Sequence, residues 1–475
     1  MRNSHEIWGR VDAISPDFTD LSDRIWDKPE LAYDEFNAVA DHTAMLKAQG
    51  FRVTEGIAGI PTAVMGEYGE DGPVIAILGE YDALPGLSQE AGLASPSPLP
   101  GPGTGHGCGH NLLGASALLA ATAVKDYLKA HGLKGRIRYY GCPAEEGGAA
   151  KTFMVREGAF TNVDAAISWH PSSFSGVNAP FSLANTRIDF TFEGKAAHAA
   201  AAPHLGRSAL DAAELMNIGA NYLREHMPQG ARLHYAYIDA GGTAPNVVQS
   251  NVTIRYLIRS ETLPELMELV DRVRKIATGA AMMTETHVSE KVVSAVSNLM
   301  SNNPLEMAMH RNFENLGPPE FDNADRKVAA EFVATLTKED KLAAYRRMGI
   351  PYDPDAVLCD LIAPPCAEGD MSAGSTDVGD VSWAVPTVQA RGATCAIGTP
   401  LHSWQMTAQG KTAHAHKGMI HTAKIMAATA LDALTDDMLL EQAKAEHAAR
   451  LAETPYICPL PATVKPPVRQ KQAAA

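Results

Sequence analysis

The chain has 475 residues, of which 45% are hydrophobic and 20% charged, and a formal net charge of −15. That length exceeds what one hydrophobic core usually serves, so two domains are expected, and nothing in the composition calls for disulfide support. The acidic balance argues against nucleic acid and membrane as partners, whereas an anionic small molecule would need local cations from metal or arginine.

The six cysteines, Cys108, Cys142, Cys359, Cys366, Cys395 and Cys458, are scattered and form no CxxC pair. A reducing compartment fits that usage. The first residues lack a basic start followed by an apolar run, and no membrane-length apolar stretch occurs, so a cytoplasmic location is expected.

In chain order, apolar spacing predicts helices over 6–27 and 35–49, broken by Pro29-Glu30. Segments 62–68 and 74–78 read as strands joined by a Gly-Glu-Asp-Gly turn. The run Val74-Ile75-Ala76-Ile77-Leu78 is apolar on both faces, as a central strand should be. Residues 85–107 are crowded with Gly, Pro and Ser and predict a long irregular loop of the kind that carries function. A buried helix is expected over 111–130, and strands over 136–141 and 165–169. Strands alternating with helices indicate an α/β domain with a largely parallel sheet.

From about residue 185 the pattern changes. A strand (187–193), a helix (208–224), two strands (232–239 and 251–258), a helix (264–282) and a strand (284–292) follow. This β-α-β-β-α-β order is the ferredoxin-like arrangement. It predicts a discontinuous catalytic domain, 1–185 and 296–475, interrupted by a domain over 186–295. Helices and loops follow, with a last helix over 419–434 and a loosely held polar tail over 465–475. Segment 300–370 receives no role beyond that of a lid or pocket wall.

Three short motifs carry chemistry. In Gly105-His106-Gly107-Cys108-Gly109-His110, glycines let two potential ligands converge at a helix start, where thiolate is favoured. By itself this reads equally well as a buried cysteine beside a satisfied histidine. Glu145-Glu146 follows a strand, at the sheet edge where α/β folds bind ligands. One of the two can ligate metal while the other acts as general base, though a solvated acidic turn is the commoner meaning of such a pair. His170, in Trp169-His170-Pro171, follows another strand. Three such clusters at one sheet edge are improbable by chance.

The ordered set GEYDALP, HGCGHN, PAEEGG, WHP and GKAAHAA resembles the M20 metallopeptidase family over about residues 20–435. Within it, the pattern is similar to the M20D amidohydrolases: aminoacylases, indole-acetyl-amino-acid hydrolases and p-aminobenzoyl-glutamate hydrolases. The resemblance implies a zinc-peptidase-like α/β catalytic domain with a mostly parallel sheet, and a ferredoxin-like dimerisation or lid domain. It implies a metal-dependent amidohydrolase that cleaves an N-acyl amino acid, with an aryl acyl group and a glutamate-like leaving group. Two divalent ions, Zn or Mn, are implied, with Cys108 bridging them. His110, Glu146, His170 and His402 are the other implied ligands, Glu145 the general base, and Asp82 a carboxylate orienting a ligand. His414 and His416 compete with His402, which fits the family position after Ile397-Gly398-Thr399-Pro400. In the family, the histidine matching His198 reaches across a dimer to the partner's oxyanion, and the asparagine matching Asn246 lies in that pocket. Arg259 matches the arginine that grips the substrate carboxylate, with Arg255 as competitor. Glu80 and Asn111 depart from the pattern, which fits a subfamily with altered substrate or, alternatively, weaker metal binding. A homodimer or higher oligomer is implied, possibly with a homologous subunit. A hydrolase of other conjugates and a non-catalytic partner subunit are the alternatives.

Overall fold

The computed structural model describes residues 4–178, 182–365 and 374–468. Cys366 and the end of the 465–475 tail lie outside the described residues. The strands, in chain order, are β1 (Arg52–Glu55), β2 (Val64–Tyr68), β3 (Val74–Glu80), β4 (Arg136–Cys142), β5 (Ala165–Ser172), β6 (Gly176–Val177), β7 (Ala184–Glu193), β8 (Arg232–Asp239), β9 (Asn251–Ser260), β10 (His287–Val296) and β11 (Thr387–Ala393). They form a seven-stranded sheet, ordered β1-β2-β4-β3-β5-β11-β6, and a four-stranded sheet, ordered β10-β7-β9-β8.

The middle of the larger sheet, β4-β3-β5-β11, is parallel. Its outer pairs are antiparallel. Every residue of β3 is buried, which explains its unbroken apolar run. The His110–His131 helix is buried over most of its length and packs against the Ser4–Trp26 and Ala413–Thr435 helices. Trp169 locks it to the sheet by donating to the Leu113 carbonyl at 3.0 Å. With the central strands parallel, β3, β4 and β5 all deliver the residues at their C-terminal ends to one rim.

The smaller sheet has the strand order and crossing helices of the predicted β-α-β-β-α-β unit. Even-numbered residues of β7 and β9 are buried, under the Ala209–Leu223 and Leu263–Thr284 helices. Odd-numbered residues make a half-exposed polar face. The long loop forms no helix or extended strand and is pinned at its base, where Leu84 and Gly105 exchange backbone hydrogen bonds of 3.0 Å.

Two expectations are corrected. The strand predicted over 284–292 begins at His287, because the preceding helix runs to Thr284 and is closed by Glu285 in a left-handed conformation. The chain does not finish its helices at 434. Asp436 caps a further helix, Asp437–Glu453, by accepting from Met438 N and Leu439 N, so the polar Thr-Asp-Asp run is a cap and not an end. The described part of segment 300–370 carries helices Asn303–Leu316, Asn323–Val333 and Lys338–Met348, in line with the helices and loops expected after the smaller domain. Its Phe332 and Tyr345 pack with Phe174 in a core cluster of their own.

Candidate metal and active site

Gly109 precedes the His110–His131 helix at φ 76°, in the left-handed region, and a side chain there would press Met406 Cε at 2.7 Å. Glycine is therefore required both for the turn and for the space. The turn places Cys108 Sγ 3.3 Å from His170 Nε2. His170 Nδ1 donates to the Pro171 carbonyl at 2.8 Å, which turns Nε2 toward the sulfur.

Asp82, just beyond β3, ties two elements together. Its Oδ1 accepts from His110 Nδ1 at 2.9 Å, and its Oδ2 accepts from Glu146 N at 2.8 Å. His110 Nε2 is buried and has no hydrogen-bond partner among the described residues. His402 Nε2 lies 3.0 Å from Glu146 Oε1. His402 adopts φ 58°, unusual for a non-glycine residue, and its backbone N–H donates to the Gly107 carbonyl at 2.8 Å. The C-terminal segment is thereby stitched to the cysteine turn.

These residues fit a cation site. Three overlapping groups, Cys108/His110/His170, Cys108/Glu146/His402 and Glu80/His110/Glu145, each hold their donor atoms within 4.8 Å of one another. Cys108 belongs to the first two, so its sulfur stands between two donor sets. Thiolate, imidazole and carboxylate are the donors zinc prefers, and neutral imidazoles oriented by a hydrogen bond on the far nitrogen are typical ligands.

The electrostatics refine one expectation. Burial and the Glu146 charge push the Cys108 thiol up, so the helix start does not produce a thiolate by itself. A cation at the sulfur is what the anion needs. Burial, then the charges of Glu80 and Glu146, raise Glu145 well above the carboxylate range. Burial would raise Glu146 too, but the His402 hydrogen bond and the His110 charge outweigh it and hold the group low. The adjacent pair is thus split into a basic carboxylate and an acidic one.

His414 and His416 do not join this cluster. Both lie in the Ala413–Thr435 helix. His414 Nε2 meets Thr412 Oγ1 at 3.0 Å, and His416 Nε2 meets Asp23 Oδ1 at 2.9 Å. The two departures have structural explanations. Asn111 Nδ2 donates to Ser22 Oγ and the Gly410 carbonyl, each at 3.0 Å, and so fastens neighbouring elements. Glu80 Oε1 is 2.6 Å from Lys151 Nζ, which also contacts Asp377 Oδ1 at 2.6 Å.

A cavity of about 570 Å³ opens over the cluster, lined by Cys108, Glu145, Glu146, His170 and His402. Its other wall includes Arg187 and Arg259 from the smaller sheet, and Arg347 and Arg391. Arg255 is not among the lining residues and is held by Asp189 through bonds of 2.6 and 2.9 Å. His198 and Asn246 are exposed and absent from the lining. They stand together, with an isolated bridge between His198 and Val247 and Ala199 N donating to the Asn246 carbonyl at 3.0 Å. Sequence reasoning missed Lys151, Asp377, Arg187, Arg347 and Arg391. Only Lys151 left a trace, as a lone charge in the helical run Ala150-Lys151-Thr152-Phe153-Met154.

Residues 76–299 match the family model described as peptidase family M20/M25/M40. The chain is 45% identical over 468 residues to a subunit of the p-aminobenzoyl-glutamate hydrolase of Escherichia coli (strain K12), covering 96% of this chain and 97% of that protein. This chain belongs to the peptidase M20 family.

Two solved structures share the fold at low identity. The aminobenzoyl-glutamate utilization protein of Klebsiella pneumoniae superposes with a TM-score of 0.58 at 18% identity, over 90% of this chain and 98% of that one. A dinuclear metal-binding M20 peptidase of Bacillus subtilis gives 0.56 at 18%, over 88% and 98%. This M20 chain is a metal-dependent amidohydrolase that uses divalent metal ions. No helix among the described residues is long and apolar enough to cross a membrane.

Proposed function

We propose that this M20 amidohydrolase cleaves p-aminobenzoyl-glutamate or a closely similar aryl-acyl amino acid, in the cytoplasm, with two Zn or Mn ions. The observation that carries the reading is the sharing of Cys108 between two donor sets, within a cavity whose opposite wall is cationic. Cys108, His110, Glu146, His170 and His402 would hold the ions. When bound, the ions lower the pKa of a water molecule and polarise the scissile carbonyl. Glu145 takes the proton from the attacking water and later delivers it to the leaving nitrogen. Asp82 keeps His110 in one tautomer and fixes the Glu145-Glu146 turn through the Glu146 N–H. Arg259 receives the α-carboxylate, which places the amide against Glu145.

Residues 186–295 form the dimerisation domain in this reading, with 1–185 and 296–475 as the catalytic domain. His198 and Asn246 of one protomer serve the other's oxyanion, which accords with their exposure away from their own cavity. The partner is a second copy or a homologous chain, since the matched Escherichia coli protein is itself named as a subunit.

The test is metal analysis of the purified chain and an assay on p-aminobenzoyl-glutamate. About two ions per chain and release of p-aminobenzoate are expected. A chain loaded with metal but inert, even when mixed with a homologous chain, overturns the reading. The arginine assignment has its own check. Arg259→Ala should raise KM about tenfold or more, the range for losing a charge-assisted bidentate bond. Arg255→Ala, already neutralised by Asp189, should leave KM near the parent value. The reverse order would exchange their roles.

A further inference from the structure

Arg187 has no part in the hydrolytic steps assigned to Glu145 and Arg259. It lies on β7, two residues from Asn185, whose register partner on β9 is Arg259. Both arginines project from the half-exposed face of the smaller sheet, and both line the cavity. In an antiparallel pair such diagonal neighbours stand about 7–8 Å apart, within reach of long side chains.

The surroundings of Arg187 differ from those of the next arginine along the face. Arg255 has Asp189. Arg187 forms no ion pair among the described residues, and its Nη1 donates to the Gly147 carbonyl at 3.4 Å, directly beyond the Glu145-Glu146 pair. Burial, followed by the charges of Arg255 and Arg259, lowers its pKa, and the more weakly acting Asp189 charge does not offset them. A half-buried guanidinium beside like charges is costly unless an anion joins it. A bidentate arginine engages both oxygens of a carboxylate. A second guanidinium facing the same space offers a matching place for a second negative charge.

We propose that Arg187 is a specificity residue that receives the second carboxylate of an acidic amino-acid leaving group while Arg259 holds the first. The proposal rests on the hydrolytic reading above, and it deepens that reading by assigning a residue to the second carboxylate of the glutamate leaving group. The contact with the Gly147 carbonyl sets the Arg187 guanidinium next to the Glu145-Glu146 turn, on the side of the cavity where the amide would be cleaved.

The metal-loaded protein is assayed with p-aminobenzoyl-L-glutamate and with p-aminobenzoyl-L-glutamine, which has the same shape and one charge fewer. The parent should favour the glutamate amide in kcat/KM by about tenfold or more, the value of a charge-assisted contact. Arg187→Gln should bring the ratio close to one, through KM for the glutamate amide. Arg187→Lys should restore part of the preference. Calorimetric titration with free L-glutamate and L-glutamine reads the same discrimination without turnover. A protein that hydrolyses neither amide would defeat the function proposed above, and the titration would still judge Arg187. Equal handling of the glutamate and glutamine ligands by the parent overturns the proposal. So does an equal loss of both in Arg187→Gln.

Discussion

Replacing Glu145 with glutamine is expected to reduce kcat by about 10²–10⁴, the range for a general acid–base group, while metal content stays at the parent level. The amide of glutamine fills the same space but cannot accept a proton. Glu145 occupies a site where burial and the Glu80 and Glu146 charges raise its pKa. Because Glu146 and not Glu145 meets His402, the substitution spares both donor sets that share Cys108 and alters only the Glu80/His110/Glu145 group. Kinetics and elemental analysis on the same preparation separate the two roles. Parent-level turnover in the variant would remove Glu145 as the base, and loss of metal would make it a ligand.

The second large effect concerns stability. Lys151 is fully buried between Glu80 and Asp377, at 2.6 Å from each carboxylate, and its backbone N–H also donates to Asp377 at 2.9 Å. Lys151→Met keeps the apolar stem and removes the charge. Two buried carboxylates are then left facing each other. Removing one partner of a buried ion network costs roughly 3–5 kcal/mol. The urea midpoint should fall accordingly, without a change in slope. A triple variant, Lys151→Met with Glu80→Gln and Asp377→Asn, should recover much of the loss, because no unpaired charge remains. If the single variant were as stable as the parent, the triad would not be part of what holds β3 to the Ala150–Arg156 helix.

Much of the site was legible because its residues lie in short motifs at strand ends. Cys108 and His110 flank a single glycine, Glu145 and Glu146 are adjacent, and His170 follows an apolar strand. The C-terminal histidine of the cluster was harder to place, since four histidines occupy residues 402–421. The fold separates them by giving His414 and His416 hydrogen-bond partners elsewhere and bringing His402 to Glu146. The arginine wall was mostly invisible. Arg187 and Arg259 belong to strands with ordinary alternation, and nothing local distinguishes Arg259 from Arg255. Only the register, which sets Arg255 opposite Asp189, does so. The missed helix over Asp437–Glu453 has a similar cause, because a capping Asp-Asp pair looks like a terminator until the residues after it are seen to pack.

The order of residues alone determined the α/β class, the inserted β-α-β-β-α-β unit, the family and the short motifs that meet at the sheet rim. Each of these depends on periodicity or on neighbours within a few positions. The tertiary structure decided which histidine completes the cluster, that Cys108 stands between two donor sets, how Lys151 neutralises Glu80, and which arginines face the cavity. Those are contacts between residues tens to hundreds of positions apart. They are fixed by sheet register and helix packing, and no local pattern encodes which long-range pairs will meet.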